Sequence, residues 1–442
     1  MFIADGLPPE QRHGELLGYL LGLELHGIKL GFENIRYLLD RAEDPQQEYP
    51  TVHVAGTNGK GSVLAFLDAM LRAAGYHTGR YTSPHLIQPN ERFLVDGKMM
   101  SDRALDDHIA FFKEIADGMF NSPTFFEVTT AIAFRHFAEA EVDLALIEVG
   151  LGGRLDSTNV IAPEVTAITT IGLEHTQYLG DTLEQIAYEK AGILKPGVPA
   201  VVGDIEDGPR GVILDRAREL DAPVWLSGRD YHCSAQGPPW AQQFSFTGRG
   251  FSVDNVPLGL AGRHQVRNAG VATALALALR GRFPDLGPEA ILRGLSEVRW
   301  PCRLERVLHD PPVIIDVAHN LAGARLLGDV FERAVVVAAI SSDKDARGML
   351  ACLAPLCQRA ETDAPALILT QFGGTRSLPV HILAAAAADW PHQAFPDLEE
   401  ALEQGMSLAS ADCPLLITGS IFFAGAARQV LMDRFGAPPP VF

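Results

Sequence analysis

The 442-residue chain holds only five cysteines (Cys233, Cys302, Cys352, Cys357 and Cys413), an odd number with no C-x-x-C pair. That usage excludes a disulfide scaffold and a zinc framework, and it suits a reducing compartment. No uninterrupted apolar run approaches the roughly 18 residues of a membrane span. The start, MFIADGLPPEQRHGE, lacks the basic and apolar regions of a signal peptide. The expectation is a cytoplasmic protein. Basic residues are also in deficit: 36 Lys plus Arg against 55 Asp plus Glu give a formal net charge of −19. So acidic a chain is not expected to have nucleic acid or an anionic membrane as its partner. An anionic substrate would need locally placed cations or a metal. Internal repeats and low-complexity tracts are lacking as well.

What is present is an ordinary globular composition, 47% hydrophobic and 21% charged. The length exceeds what one core supports, so two domains are expected. Strand candidates lie at 51–55, 142–149, 164–171 and 198–202, and again at 313–317, 334–340, 366–370 and 414–418. Most are continuously apolar, as parallel strands covered on both faces are. Helical patterns such as 62–74, 182–194 and 266–280 separate them. This βαβ rhythm predicts an α/β protein. Its P-loop-containing, doubly wound parallel-sheet N-terminal domain spans 1–298, and a smaller Rossmann-like α/β C-terminal domain spans 299–442. Residues 226–260, with scattered aromatics and Pro-Pro, predict a short antiparallel or irregular segment.

The segment Thr57-Asn58-Gly59-Lys60-Gly61-Ser62 follows the first strand and opens a helix. Its glycines let backbone N–H groups face phosphate oxygens at a helix N-terminus, and Lys60 supplies a mobile positive charge. The spacing is not that of the G-x-x-x-x-G-K-[ST] loop, since position 54 is Val and the hydroxyl follows two residues after the lysine. Glu148 ends the apolar run VDLALIEV, and Asp316 ends VIIDV. A carboxylate at the carboxyl end of a buried strand needs a partner or a metal, and that sheet edge is where α/β ligands bind. His175 read alone is an ordinary loop histidine. Lys190 falls on the apolar stripe Leu183, Ile186, Ala187, Lys190, Ala191, Leu194 of the helix 182–194. Its ammonium either reaches an acid such as Glu189, or burial lowers its pKa and the neutral amine takes up CO2 as a carbamate. The helix pattern by itself favours the first.

GTNGKG, TSPHL at 82–86, EVGLGGRLDSTN at 148–159 and EKAGI at 189–193 together resemble the folylpolyglutamate synthase/dihydrofolate synthase family of Mur-type ATP-dependent amide ligases. The resemblance runs from about residue 20 to 425. It implies ATP on Thr57 to Ser62, with Asn268 of HQVRNAG, Arg303 of WPCRLE and Asp316 of DVAHN. It implies magnesium, two ions, held by Ser83, Glu148, His175 and Lys190 as N6-carboxylysine; a monovalent cation is left open. It implies Lys60, Glu148, His175, Lys190 and His319 as the catalytic set. The acyl substrate, dihydropteroate or a reduced folate, would meet Ile28, Lys29, Leu30 and Gly31, then Thr124, Phe125, Phe126 and Glu127, then Arg154, Leu155, Asp156 and Ser157. An aromatic face suits a flat heterocycle; without the resemblance, Phe125 and Phe126 read as core and Asp156 and Ser157 as a turn. L-Glutamate would be the amine, and a monomer would suffice.

Two positions depart from the family pattern: Cys302 replaces the glycine before the arginine, and Leu321 replaces the proline after DVAHN. The bland alternative for Arg303 is a surface ion pair with Glu305. The implied activity is both dihydrofolate synthesis and glutamate-tail extension; tail extension alone or another Mur-type ligation is the nearest rival. A P-loop switch would need an N-K-x-D motif, which the sequence lacks.

Overall fold

The computed structural model describes residues 8–27, 29–358, 364–374 and 376–442. Strands β1 (Thr51–Ala55), β2 (Thr78–Tyr81), β3 (Phe93–Val95), β4 (Lys98–Met99), β5 (Leu144–Glu148), β6 (Val165–Ile168), β7 (Ala200–Val202) and β8 (Val224–Leu226) form one sheet. Their order is β4-β3-β2-β5-β1-β6-β7-β8. Neighbours from β2 to β8 are parallel, and β3 and β4 close one edge antiparallel.

The continuous apolar runs are explained by two covered faces. On β5, Leu144 and Leu146 enter one core while Ala145 and Ile147 enter another. The first core is built with α3 (Lys60–Ala73), α9 (His264–Leu279) and α10 (Pro288–Glu297). The second is built with α1 (Pro9–Gly22), α2 (Glu33–Arg41), α4 (Asp102–Asp117) and α5 (Phe125–Glu139). Phe66, Phe112, Phe134 and Phe137 are wholly buried in these layers, each contributing about 1.5–3 kcal/mol by leaving water. The polar break in β1, His53, is bonded through Nε2 to Thr158 Oγ1 at 2.8 Å. Burial lowers its pKa to about 3, so it stays neutral.

The apolar-run criterion does not predict β2. Its TGRY sequence carries Arg80, which is 1% exposed, pairs with Asp68 at 3.4 Å and lies 4.7 Å from the Trp300 ring centroid. The segment after β8 makes a separate antiparallel sheet of β9 (Tyr231–Gln236), β10 (Gln243–Gly248) and β11 (Phe251–Pro257). Tyr231, Phe244 and Phe246 seat it on the α9 side of the first core.

A second, mixed sheet domain follows: β12 (Glu305–His309), β13 (Pro312–Ile315), β14 (Val335–Ala338), β15 (Leu367–Leu369), β16 (Gln393–Ala394) and β17 (Leu415–Thr418), in order β12-β13-β17-β14-β15-β16. Only β12 runs antiparallel. Its strands are again two-sided, with Val335 and Val337 in one core and Val336 and Ala338 in the other. Among the described residues no helix is long and apolar enough to cross a membrane.

In the first sheet the chain turns left from β1 to β2 and right to β6, so the carboxyl ends of β1, β2, β5 and β6 open on one crevice. Such switch points are where open α/β sheets take ligands.

Candidate active site

The loop after β1 is shaped by what surrounds its glycines. Gly56 has φ +151°, and a Cβ there would sit 1.9 Å from Thr169 Oγ1. Gly59 has φ +88°, and its Cβ would meet Asn268 Oδ1 at 2.4 Å. The loop is pinned from behind: Thr57 N–H donates to Thr170 O at 2.9 Å, Asn58 N–H to Thr170 Oγ1 at 3.0 Å, and Thr169 Oγ1 to Asn58 O at 2.7 Å. Lys60 starts α3. Its ammonium donates to Gly56 O at 3.0 Å and lies 3.7 Å from Glu148 Oε1. On α9, Asn268 donates to Gln265 Oε1 at 2.9 Å, and Gln265 in turn reaches Ser62 Oγ at 3.4 Å.

Glu148 ends β5 with Oε2 accepting from Ser83 N–H at 3.1 Å. Burial raises its pKa, opposed by Lys60 and then by the Ser83 amide, Arg303 and Arg92. A buried carboxylate in that state invites a cation. Loop residues 57–62, Ser83, Glu148, Glu174, His175 and Asn268 line one cavity with Arg303, Asp316, His319 and Asn320 of the second domain.

On that second wall, Arg303 is carried by an unusual backbone: Cys302 has φ +55° and Leu304 φ +48°. The left-handed conformation explains why the family pattern has glycine where this chain has Cys302, whose side chain is fully buried. Cys302→Gly is therefore expected to change stability by less than about 1 kcal/mol, because relief of the left-handed penalty offsets the lost burial. Cys302→Val is expected to cost about 2–3 kcal/mol, since a β-branched residue tolerates that conformation poorly; thermal unfolding of the two variants measures both.

The Arg303–Glu305 ion pair of the bland alternative does not form. Glu305 accepts instead from the Cys302 N–H at 2.8 Å and from the wholly buried Arg428. Arg303 faces Trp300, 5.8 Å from its ring centroid. Asp316 accepts from Leu304 N–H at 2.9 Å and from Ala318 N–H at 2.8 Å, and Val317 N–H donates to Cys302 O at 3.1 Å, so both flanks of the arginine turn are tied to this segment. His319 Nδ1 donates to Val317 O at 3.0 Å, which leaves Nε2 as an acceptor. Burial draws its pKa down to about 4, so the ring is neutral.

His175, with φ +45°, precedes the short helix α6 (Thr176–Leu179). Burial and Lys344 hold it below the usual histidine range. Lys190, on α7 (Leu183–Ala191), is buried as its helical stripe requires, but it does not reach the cavity wall. Its ammonium donates to Glu174 Oε1 at 2.6 Å. The acid suggested by sequence, Glu189, is taken by Arg154 at 2.9 Å. Burial lowers the Lys190 pKa; burial raises that of Glu174, but Lys190 and Lys60 outweigh it and the net shift is downward. Among the described residues no three His, Cys, Asp or Glu side chains gather into a metal cage. Glu148, His175 and the partner of Lys190 thus contribute to one cavity without enclosing a cation by themselves. Glu174 is the site residue that sequence reading passed over, although it directly precedes His175 beyond the carboxyl end of β6.

The three segments expected to face the acyl substrate, far apart in sequence, meet in space. Lys29 Nζ donates to Ser122 O at 2.7 Å, Gly31 N–H to Leu155 O at 3.5 Å, and Asn34 Nδ2 to Glu127 Oε2 at 3.1 Å. Ile28 lies outside the described residues. Thr124 and Glu127 form a reciprocal capping box that starts α5. Phe125 is 7% exposed in the second core, whereas Phe126 is half-buried against Gly150, where a Cβ would lie 2.3 Å from its ring. Gly150 lines the cavity, so Phe126 packs directly behind that part of its wall. Asp156 accepts from Leu151 N–H at 2.8 Å and Thr158 N–H at 3.0 Å; it and Ser157 are buried turn residues.

A phosphate loop at a switch point, faced by an arginine and an aspartate from a second α/β domain, defines a class, and family models agree: the Mur ligase middle domain matches residues 54–276 and the Mur ligase glutamate ligase domain residues 302–421. This is an ATP-dependent ligase of the Mur type. Within that class the chain belongs to the dihydrofolate synthase/folylpolyglutamate synthase family. It is 35% identical over 418 residues to the dihydrofolate synthase/folylpolyglutamate synthase of Bacillus subtilis, covering 92% of this chain and 96% of that protein. It is 33% identical over 428 residues to the Escherichia coli protein of that name, covering 95% of each. It spans 51% of the length of a Halobacterium salinarum relative, a probable bifunctional folylpolyglutamate synthase/dihydropteroate synthase, at 35% identity over 440 residues. The fold matches a Mycobacterium tuberculosis folylpolyglutamate synthase complexed with ADP and AMPPCP at a TM-score of 0.86 and 34% identity, over 97% of this chain and 100% of that one. Escherichia coli FolC in complex with DHPP and ADP matches at 0.84 and 31% identity, over 95% and 98%.

Proposed function

We propose that this chain is a bifunctional dihydrofolate synthase/folylpolyglutamate synthase, joining L-glutamate to dihydropteroate and to the γ-carboxylate of reduced folates, as a cytoplasmic monomer divided at residues 298/299. The observation that carries the reading is the single cavity in which the phosphate loop, Glu148, Arg303 and Asp316 converge beside the meeting point of the three acyl-side segments. The Bacillus subtilis and Escherichia coli relatives bear both activities in their names, and a Lacticaseibacillus casei relative, 34% identical over 409 residues, bears only the second.

ATP phosphates would lie on Thr57–Ser62 against the N-terminus of α3, flanked by Asn268 and closed by Arg303 and the Asp316 turn. The substrate carboxylate oxygen attacks the γ-phosphorus, the bond to the bridging oxygen breaks, and ADP leaves an acyl phosphate. Lys60 and Arg303 balance charge on the phosphoryl group in flight, where positioning and electrostatics do most of the catalysis. The glutamate amine then attacks the acyl carbon and expels phosphate, its proton passing to a neutral acceptor such as His319 Nε2. Docking of the second domain keeps water from the intermediate. Phe126 offers its face to the pterin ring.

Two magnesium ions would be held by Ser83, Glu148, His175 and a carbamylated Lys190 together with nucleotide phosphates. Glu148 and the Ser83 hydroxyl are the hard oxygen donors that such a cation prefers. Bound there, magnesium neutralises developing phosphate charge. Burial draws the Lys190 pKa down, in the direction of the neutral amine that carbamylation needs, and the Glu174 ion pair is the competing state. Lys190→Ala is expected to lower turnover at least about a hundredfold at low magnesium, as loss of a charge-stabilising group does. Wild-type turnover there would make Lys190 a packing residue.

The test of function is ADP release with Mg-ATP and L-glutamate, with dihydropteroate or tetrahydrofolate as the acid. Turnover with both is expected. Turnover with tetrahydrofolate alone reduces the protein to a tail-extending synthase, and silence with both, despite ATP binding, removes the folate assignment.

A further inference from the structure

The phosphate loop touches the second domain through one side-chain hydrogen bond that the nucleotide and metal roles above do not use. Asn320 Nδ2 donates to Asn58 Oδ1 at 3.1 Å. Asn320 also caps α11 (Leu321–Gly328), its Oδ1 accepting from Gly323 N–H at 2.8 Å. The cap needs only that oxygen, so the amide nitrogen is left free for a second task. Asn58, on the other side, is held entirely from within the first domain by its backbone: N–H to Thr170 Oγ1, and O from Thr169 Oγ1 at 2.7 Å and Thr170 Oγ1 at 3.1 Å. Its side chain is thus held at its root, and Asn320 of the docked second domain meets its oxygen. Gly59, the next residue, leans on Asn268, so the loop is braced by an asparagine on each side.

We propose that Asn320 is a positioning residue that couples docking of the second domain to the conformation of the phosphate loop. With the domains docked, the Asn320 amide holds Asn58, and the amides of Gly59 to Ser62 keep the curl that suits nucleotide phosphates. With the second domain displaced, Asn58 loses its partner and the loop loosens. The cap oxygen and the latch nitrogen belong to one planar amide, so the start of α11 sets where the latch falls.

The inference rests on the nucleotide reading of residues 57–62, and the experiment separates the two. Binding of AMPPCP is measured by calorimetry for the wild type, Asn320→Ser, Asn58→Ala and the double variant. Serine still caps α11 but is too short to reach Asn58, so the melting temperature is expected to stay within about 2 °C of wild type. The affinity of Asn320→Ser should fall about five- to tenfold, as for one neutral hydrogen bond. Asn58→Ala should fall by a similar factor, and the double variant no further than either single one. Asn320→Thr, the other short cap, is expected to repeat the serine result, so a folding fault peculiar to one variant does not decide the matter. Unchanged AMPPCP binding in both cap-preserving variants, or losses that multiply in the double variant, would overturn the proposal. A wild-type protein that binds no AMPPCP would overturn the nucleotide reading instead.

Discussion

Lys60→Ala is expected to lower ADP formation about a thousandfold or more, the range seen when a cation leaves a phosphoryl-transfer site. The geometry gives two reasons. Lys60 is tied by Gly56 O at 3.0 Å, so its charge is held at the mouth of the loop and needs no reorganisation during transfer. It is also the nearest cation to buried Glu148, at 3.7 Å. Without it the Glu148 pKa, already raised by burial, climbs further, and the carboxylate becomes a poorer anion for any bound cation. Lys60→Arg should not rescue turnover, because a planar guanidinium cannot take the place of a compact ammonium in a loop this tight. ADP release at saturating ATP, with circular dichroism to confirm the fold, measures the effect. Retention of more than about a tenth of wild-type turnover would remove Lys60 from the phosphoryl-transfer step.

Arg303→Ala should have the next largest effect, a loss of about a hundred- to a thousandfold in kcat/KM for ATP. It removes the guanidinium that the Cys302–Leu304 turn and the Asp316 carboxylate are built to present. It also removes the charge over Trp300. Because Asp316 bonds to the backbone of Leu304 and Ala318 rather than to the arginine side chain, the turn itself should persist. The melting temperature is therefore expected to hold while the ATP dependence collapses. Arg303→Lys keeps the charge but not the fork, and should recover only part of the loss. Equal losses in unfolding stability and turnover would mean that the residue is structural.

Much of this was legible in the sequence because the strands are buried on both faces. Leu144 to Ile147 fill two cores in alternation, and so short an apolar run, followed by a glycine-rich turn, reads as a covered strand. The loop 57–62 was legible because its glycines and lysine stand together between a strand and a helix, although the side chains that crowd those glycines, such as Asn268 at Gly59 and Trp300 at Gly61, come from far along the chain. By contrast β2 stayed hidden, since its charged residue, Arg80, is paid for by Asp68 and Trp300, partners that no local pattern reveals. Lys190 shows the same limit: the helical stripe buries it correctly, but its partner Glu174 comes from a loop sixteen positions earlier. The acyl-side assignment rests on resemblance alone. Phe125 and Phe126 are adjacent and chemically alike, and only the fold sends one into the core and leaves the other against Gly150.

The two-sided first sheet has a consequence for how such a ligase can change. The phosphate loop, α3 and α9 rest on one core, whereas residues 29–31 and 124–127 are framed by α1, α2 and α5 on the other. On the proposed reading, the face that carries ATP and the face that carries the acid have separate cores with a layer of strands between them, and Phe126 against Gly150 is one place where they come close. On that reading, repacking the α1, α2 and α5 face would alter which acids fit without disturbing the core beneath α3 and α9.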